Sequence, residues 1–393
     1  MFRPPAMMPA MAESRALEEQ ADRAAASGQF AAARSLLEQA VQSGDAGLEL
    51  WMKLSAMRKA SGDLKGALEA IDRALALSPL DFSALLSRAV ILEALGDPNA
   101  GEEFGNALAQ IPPDGVVPPA MMQAVAYAQK RRDDHRRKLE QRLAAVLPAE
   151  LDANERVRAE RFISNRSRRT RHYHQEPSDY HYPGLPEIEF HDPQHIEGLG
   201  ELEAATAEIR AEFDALIAAE AAEMVPYIQY PDRVPMRQWK ELNHNPKWTA
   251  IHLLQNGRRI EANARHCPKT IAAISRLDQP QVPGASPNAM FSLLAPRTRI
   301  PPHTGVANTR LVCHLPLIVP EQCGFRCGET TREWRVGETF VFDDTIEHEA
   351  WNDSDQLRVV LIVDLWAPSL GPAEREAVAA VIGSSGAAAM GNA

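Results

Sequence analysis

The chain has 393 residues, of which 45% are hydrophobic and 24% charged, and its formal net charge is −11. This length allows one or two buried cores, and the negative charge disfavours nucleic acid as the main partner. No stretch reaches the roughly 18 apolar residues of a membrane span, the start lacks a signal-peptide apolar run, and the four cysteines lack zinc-type spacing. We therefore expect a cytoplasmic protein with reduced thiols and no membrane span.

Regularly spaced glycines organise the first third of the chain. Gly28, Gly62 and Gly96 follow one another at intervals of 34 residues, each between two apolar-periodic helical segments. This period, with small residues at fixed offsets, resembles the tetratricopeptide repeat. We predict repeats over residues 14–112, after a flexible segment 1–13. Their groove could hold a peptide or protein, or the array could serve only for packing or dimerisation.

A helical and basic linker is predicted next, over residues 113–179. Proline pairs at 112–113 and 118–119 mark its start, and the chain is again helical over about 120–147. Basic side chains cluster at 131–138 and at 166–171. Such clusters could contact an anion or nucleic acid, but in an acidic chain a solvated linker surface is the favoured interpretation.

Short strands dominate the last part of the chain. A helix is predicted at about 201–220. Apolar runs at 290–294, 310–317, 338–342 and 357–365 are bounded by Gly, Pro and Asp, which predicts a β-sandwich or jelly roll. From residue 371 we expect one short helix and a disordered Gly/Ala/Ser-rich tail.

Two histidines and an arginine stand out among these strands. His303 is followed 45 residues later by His348, and Arg358 comes ten residues after that. Two imidazoles suit iron, but the usual two-histidine, one-carboxylate site would carry Asp or Glu where Gly305 stands. An arginine fork suits a buried carboxylate ligand. Asp343, Asp344 and Glu349 could orient the ligands, or could simply be polar turn residues.

The segments around these residues resemble a known family. The runs HTGVANTRLVCHLPLIVP (303–320), FRCGETTREWRVGE (325–338), FDDTIEHEAWND (342–353) and RVVLIVDLWAP (358–368) look like aspartyl/asparaginyl β-hydroxylase, as do GRR at 257–259 and PKT at 268–270. The resemblance covers about residues 180–370. It implies a double-stranded β-helix (jelly-roll) oxygenase domain with flanking helices, preceded by repeats as in the animal enzyme.

The resemblance also implies cofactors and the residues that bind them. Fe(II), 2-oxoglutarate and O2 would be required. His303 and His348 would be the iron ligands, and water would complete the coordination because Gly305 occupies the third ligand's position. Arg358 and Ser292 would hold the distal carboxylate of 2-oxoglutarate.

Further positions follow the family, and others depart from it. By resemblance, His314 would lie near the iron-chelating end of 2-oxoglutarate, and Arg310 would face the substrate side chain. Val312 stands where the animal enzyme has an arginine that helps to bind 2-oxoglutarate, so that end must be held differently. A cysteine pair of the animal enzyme is also missing, since Ala264 and Ile271 occupy its places.

The leading hypothesis is a dioxygenase that hydroxylates the β-carbon of Asp or Asn in a peptide or protein presented by the repeats. A second is an oxygenase of the same fold acting on a free amino acid, a small peptide or a lipid-linked group. A third is a repeat scaffold without activity. The vacant carboxylate position at Gly305 could also accept halide, as a halogenase would require.

Overall fold

The computed structural model describes residues 9–42, 46–111, 117–231 and 239–384. The chain divides into two compact units, residues 1–170 and 171–393. The prolines at 112 and 113 and the Gly/Ala/Ser-rich tail after residue 384 lie outside the described residues.

The first unit is helical. Its α-helices are α1 (Pro9–Ala26), α2 (Phe30–Gln42), α3 (Leu48–Ala60), α4 (Leu64–Leu77), α5 (Phe82–Ala94), α6 (Ala100–Leu108), α7 (Met122–Ala144) and α8 (Ala153–Arg166), with a 3-10 turn at Pro119–Met121. Helix α1 begins at residue 9, so the segment expected to be flexible up to residue 13 is partly helical.

The three periodic glycines have a conformational role. Gly28, Gly62 and Gly96 have φ angles of 75°, 81° and 72°, and each follows the end of a helix. This left-handed conformation strains a residue with a Cβ, so glycine is the usual residue where a helix stops. Small side chains such as Ala33 and Ala67 are fully buried where neighbouring helices meet. The predicted succession of short helices is therefore present.

The predicted basic linker is divided between the two units. Its helices α7 and α8 belong to the first unit, whereas the second unit begins at residue 171 instead of residue 180. Backbone hydrogen bonds explain the earlier boundary. Glu176 N donates to Thr345 O (2.8 Å), Ser178 N to Gly305 O (3.0 Å), and Tyr180 N to Val306 O (2.9 Å). These bonds hold the segment against the loops at residues 305–306 and 345, which belong to the second unit.

The second unit combines short helices with twelve strands among its described residues. The helices are α9 (Leu199–Ala204), α10 (Thr206–Ala218), α11 (Glu261–Ala264), α12 (Pro268–Ile274) and α13 (Pro372–Ser384), with a 3-10 turn at Pro193–His195. The strands are β1 (Phe190–His191), β2 (Val225–Pro226), β3 (Trp248–Gln255), β4 (Arg258–Arg259), β5 (Ala289–Leu294), β6 (Thr298–His303), β7 (Arg310–Ile318), β8 (Cys323–Cys327), β9 (Thr330–Arg332), β10 (Phe340–Phe342), β11 (His348–Asn352) and β12 (Arg358–Trp366).

The strands form two antiparallel sheets. The larger has the order β1-β10-β7-β12-β5-β3-β2, with β4 paired to β3, and the smaller has the order β6-β11-β8-β9. The predicted jelly roll with flanking helices is confirmed. Cys323 and Cys327 lie at opposite ends of β8 and, like Cys267 and Cys313, are buried free thiols.

Strand alternation decides which side chains face the space between the sheets. On β12, Leu361 and Val363 pack in the cluster that contains helices α9, α10 and α12, whereas Val360 and Ile362 pack in the cluster that contains residues of the smaller sheet. Successive side chains point to opposite faces of a strand. Arg358 therefore shares the inner face with Val360 and Ile362.

Candidate functional site

The same alternation on neighbouring strands gathers polar groups into one pocket. On β7, Arg310, Val312 and His314 share the inner face, and on β5 Ser292 lies between the inward Met290 and Leu294. All six predicted site residues line this single pocket: Ser292, His303, Arg310, His314, His348 and Arg358. The structure therefore brings these six residues together, while their chemical roles stay predictions.

His303 and His348 face each other across two paired strands. His303 ends β6 and His348 begins β11, and the two residues are direct partners in the strand register. Their ring centroids are 4.0 Å apart. Because both positions are fixed by the same ladder, the spacing of the two imidazoles is set by backbone geometry.

Hydrogen bonds fix the tautomer of both rings. Nδ1 of His303 donates to Pro301 O at 2.7 Å, and Nδ1 of His348 donates to Ile346 O at 3.1 Å. Each Nε2 is then the nitrogen with a free lone pair, which is what a metal ligand requires. Burial lowers the pKa of His303 to about 4 and that of His348 well below its usual value. Both rings are consequently neutral at pH 7.

Gly305 has no room for a side chain. A Cβ built on it would lie 2.2 Å from Oδ2 of Asp344, and Gly305 N donates to Asp344 O at 2.6 Å. Asp344 thus fills the space next to the position where the usual third ligand would begin. Among the described residues, the one group of three His, Cys, Asp or Glu side chains with donor atoms within 4.8 Å of each other is the exposed set His172, His174 and Glu187.

Arg358 is a buried cation that pairs with no carboxylate of the described residues. Its relative exposure is 2%, and its Nη1 lies 3.4 Å from both O and Oγ of Ser292. Its Nε is buried and has no hydrogen-bond partner within the described part of the chain. The Trp334 ring lies 4.8 Å from the guanidinium carbon. Burial lowers the pKa of Arg358 to about 10, so this pocket favours an anion that would pair with it.

His314 presents a hydrogen-bond donor to the same pocket. Trp334 Nε1 donates to His314 Nδ1 at 3.3 Å, so the remaining proton of the neutral ring lies on Nε2. Burial and the charge of Arg358 hold the pKa of His314 well below its usual value. A neutral imidazole with Nε2–H is suited to donate to an oxygen of a bound ligand.

Arg310 lies between two carboxylates. Its Nη2 is 2.9 Å from Asp344 Oδ2 and its Nη1 is 3.3 Å from Asp364 Oδ1. Asp364 also accepts from Ser286 Oγ (2.8 Å) and Asn288 N (3.0 Å). Burial outweighs the attraction of Arg310 and raises the pKa of Asp344 to about 7. Arg310 therefore reaches the pocket as part of a charge network, not as a free fork for a substrate.

The acidic turn residues have separate environments. Asp343 accepts from Thr345 N and Oγ1, and Glu349 pairs with Arg326 at 2.5 Å, so both have structural partners. Only Asp344 of the candidates faces the pocket.

Four further residues line the pocket and were not predicted from the sequence: Trp334, Asp364 and the stacked pair Tyr227 and Trp248, whose ring centroids are 3.9 Å apart. Trp334 and Asp364 stand inside segments that carry the family resemblance, and this was the available signal. Val312 lies on the pocket wall. At the position where the family resemblance would place an arginine, this pocket therefore has an apolar side chain.

Comparison with known proteins identifies both parts of the chain. Residues 203–368 match the family model "Aspartyl/Asparaginyl beta-hydroxylase", and residues 58–116 match a tetratricopeptide repeat model. A tetratricopeptide-repeat domain from Arabidopsis is similar at 19% identity with a TM-score of 0.28, over 32% of this chain and 98% of that one.

Three curated relatives show the range of similarity. Human aspartyl/asparaginyl beta-hydroxylase is 35% identical over 36% of this chain and 19% of its own length. The ornithine lipid ester-linked acyl 2-hydroxylase of Rhizobium tropici is 39% identical over 34% of this chain and 47% of its own. Aspartate beta-hydroxylase domain-containing protein 2 of Xenopus tropicalis is 31% identical over 52% and 54%.

The matches thus span between about a fifth and about half of the length of these relatives. None of the described helices is long and apolar enough to cross a membrane.

Proposed function

Because residues 203–368 form a domain of the aspartyl/asparaginyl β-hydroxylase family behind tetratricopeptide repeats, we propose that this protein is an Fe(II)- and 2-oxoglutarate-dependent dioxygenase. Its substrate is an Asp or Asn residue of a peptide or protein, hydroxylated at the β-carbon. The observation that carries the proposal is the buried Arg358, which has no carboxylate partner in the described part of the chain and shares a pocket with the facing His303 and His348.

The donor set fits ferrous iron. His303 and His348 offer two Nε2 lone pairs whose direction is fixed by hydrogen bonds to backbone carbonyls. Imidazole suits iron, and two protein ligands leave positions for a chelating cosubstrate and oxygen. When bound, iron with 2-oxoglutarate and O2 supplies the oxidant that replaces a C–H hydrogen by hydroxyl, with release of succinate and carbon dioxide.

Residues of the inner face would hold 2-oxoglutarate. Arg358 and Ser292 donate to the distal carboxylate, which replaces the missing counter-ion of the guanidinium. His314 donates from Nε2 toward the other end of the molecule. Val312 adds no charge there, so the chelating end depends more on the metal and on His314. The surrounding aromatic rings exclude water, which strengthens each of these charged contacts.

One relative favours a second candidate function. The Rhizobium tropici relative, named for hydroxylation of the acyl chain of an ornithine lipid, is as similar as the human β-hydroxylase. Arg310 is already paired with Asp344 and Asp364 inside the protein, although its Nε has no hydrogen-bond partner among the described residues. The pocket therefore does not by itself demand an acidic substrate. A lipid-linked or small-molecule substrate is therefore the alternative on the same chemistry.

The metal and cosubstrate assignment is tested with the full chain. Protein supplied with Fe(II), 2-oxoglutarate and ascorbate should form succinate, and His303→Ala should abolish its formation. His195→Ala is the matched control, because that side chain is 84% exposed and distant in sequence from the pocket strands. Undiminished succinate formation by His303→Ala would show that the metal assignment is wrong.

The substrate is tested with a panel. Peptides containing Asp or Asn, free aspartate and asparagine, and an ornithine lipid are each incubated with the active protein and examined for one added oxygen. Oxidation of peptides alone supports the leading proposal, and oxidation of the lipid alone supports the second. A chlorinated product formed only with chloride would indicate a halogenase, and no turnover of 2-oxoglutarate under any condition would indicate a scaffold without activity.

A further inference from the structure

Two basic segments that are separate in sequence converge on one cleft of the first unit. Arg136, Lys138 and Arg142 reach it from α7, and Arg166 and Arg168 reach it from the end of α8. The cleft has a volume of about 850 Å³. Solvated linker surfaces were the favoured interpretation of both segments, and in the structure their mostly exposed side chains also share one concave site.

One cation of this cleft, Arg136, lies in an unfavourable environment. Arg136 is partly buried, and burial together with repulsion from Arg132 and Arg168 lowers its pKa. Asp133 and Glu140 offset only part of this effect. Like charges kept close in a cleft are a mark of ligand sites, because a bound anion relieves their repulsion.

Three acidic side chains line the cleft, and Asp97 accepts from Asn99 N while the other two lie beside cations or His135. Glu93 lies 2.8 Å from His135 Nε2 and also pairs with Arg131, while Glu102 lies 3.6 Å from Arg166.

In contrast, within the ranges that the structure describes, Arg136, Lys138, Arg142 and Arg168 form no ion pair. The cleft is thus a locally positive surface on a chain whose net charge is −11.

We propose that this cleft binds an acidic segment of a polypeptide, distinct from the residue that is oxidised. The proposal rests on the proposed function, since the segment belongs to the polypeptide substrate. The volume is much greater than the roughly 30 Å³ share of one water molecule, so the cleft accommodates several residues and not only a single small anion. No Phe, Tyr or Trp is among its described lining residues, and single-stranded nucleic acids normally use such rings for stacking.

The test measures binding and not turnover. A fluorescein-labelled peptide of alternating aspartate and glycine is titrated with the full-length, iron-free protein, and anisotropy is recorded. The double variant Arg142→Gln/Arg168→Gln should weaken binding by about tenfold. The control Arg23→Gln/Lys130→Gln removes the same charge from exposed positions of the first unit and should leave binding within about twofold.

Each outcome supports or overturns the proposal. If both double variants weaken peptide binding equally, the peptide responds only to the overall charge of the protein, and the proposed binding site is wrong. Equal binding of the corresponding asparagine peptide, or tighter binding of single-stranded RNA of equal charge, would also overturn it. Thermal unfolding of each variant verifies folding. His303→Ala should bind the peptide like the wild type. Peptide binding by the cleft is therefore measured independently of whether the proposed hydroxylase activity is correct.

Discussion

The uncompensated charge of Arg358 leads to an unusual expectation for stability. Burial lowers the pKa of Arg358 from 12.5 to about 10. Since a shift of one pKa unit corresponds to about 1.36 kcal/mol, the buried charge destabilises the protein without 2-oxoglutarate by about 3 kcal/mol. Arg358→Met keeps a long flexible side chain and removes the charge. It also removes the contact with the Trp334 ring, worth about 1 kcal/mol.

We therefore expect Arg358→Met to raise the free energy of unfolding by about 2 kcal/mol without 2-oxoglutarate, and to raise Tm by roughly 4–8 °C. In the wild type, 2-oxoglutarate at about a hundred times its Kd should add about 2.7 kcal/mol. The variant should gain nothing from it. Stability and cosubstrate binding would thus change in opposite directions.

Thermal unfolding with and without 2-oxoglutarate measures both effects. Arg335→Met is the matched control, because that arginine is 74% exposed in the same unit and should respond to 2-oxoglutarate like the wild type. A loss of more than about 2 kcal/mol in cosubstrate-free Arg358→Met, or an undiminished response to 2-oxoglutarate, would refute the reasoning.

Three further predictions concern the pocket and the core, and one of them has a control substitution in the first unit. Trp334→Phe removes the donor that fixes the His314 tautomer and should raise the KM for 2-oxoglutarate roughly five- to tenfold; an unchanged KM would count against that role. Gly305→Ala places a Cβ against the paired, buried carboxylate of Asp344 and should lower the free energy of unfolding by roughly 1–3 kcal/mol. The control Gly105→Ala has open space around the added Cβ in α6 and should raise the free energy of unfolding by roughly 0.5–1 kcal/mol. Burial lowers the pKa of His252 to about 4, so the unfolded chain binds a proton that the folded chain does not, and stability falls as pH drops from about 6.5 to 4. In urea unfolding across that range, His252→Gln should lose less stability than the wild type, and an equal loss would contradict this assignment.

Local periodicity in the sequence was sufficient for much of the fold. The 34-residue glycine spacing has a conformational cause, since each glycine has a positive φ. The alternation of apolar residues on β7 and β12 explains why Arg310, His314 and Arg358 share one face. Residues at even spacing on a strand face the same side whatever the rest of the fold does, so the shared face of Arg310 and His314 on β7 could be predicted.

Other features depend on contacts between segments that are distant in sequence. The ion pairs that occupy Arg310 join it to Asp344 and Asp364, 34 and 54 residues away in the chain. The basic cleft requires the end of α8 to return to α7, and two separate charge runs do not reveal this. The earlier start of the second unit likewise depends on hydrogen bonds to Gly305 and Thr345. Periodicity predicts faces of elements, but not which faces are brought together.

The close approach of residues 305 and 344 has a consequence for how this site could change. A carboxylate introduced at position 305 would need the volume that the Asp344 carboxylate already occupies. Removal of Asp344 alone would leave Arg310 with one counter-ion instead of two. Each single step toward a three-ligand centre is therefore penalised, and conversion requires both positions to change together. Evolution by single substitutions would therefore tend to preserve the two-histidine arrangement.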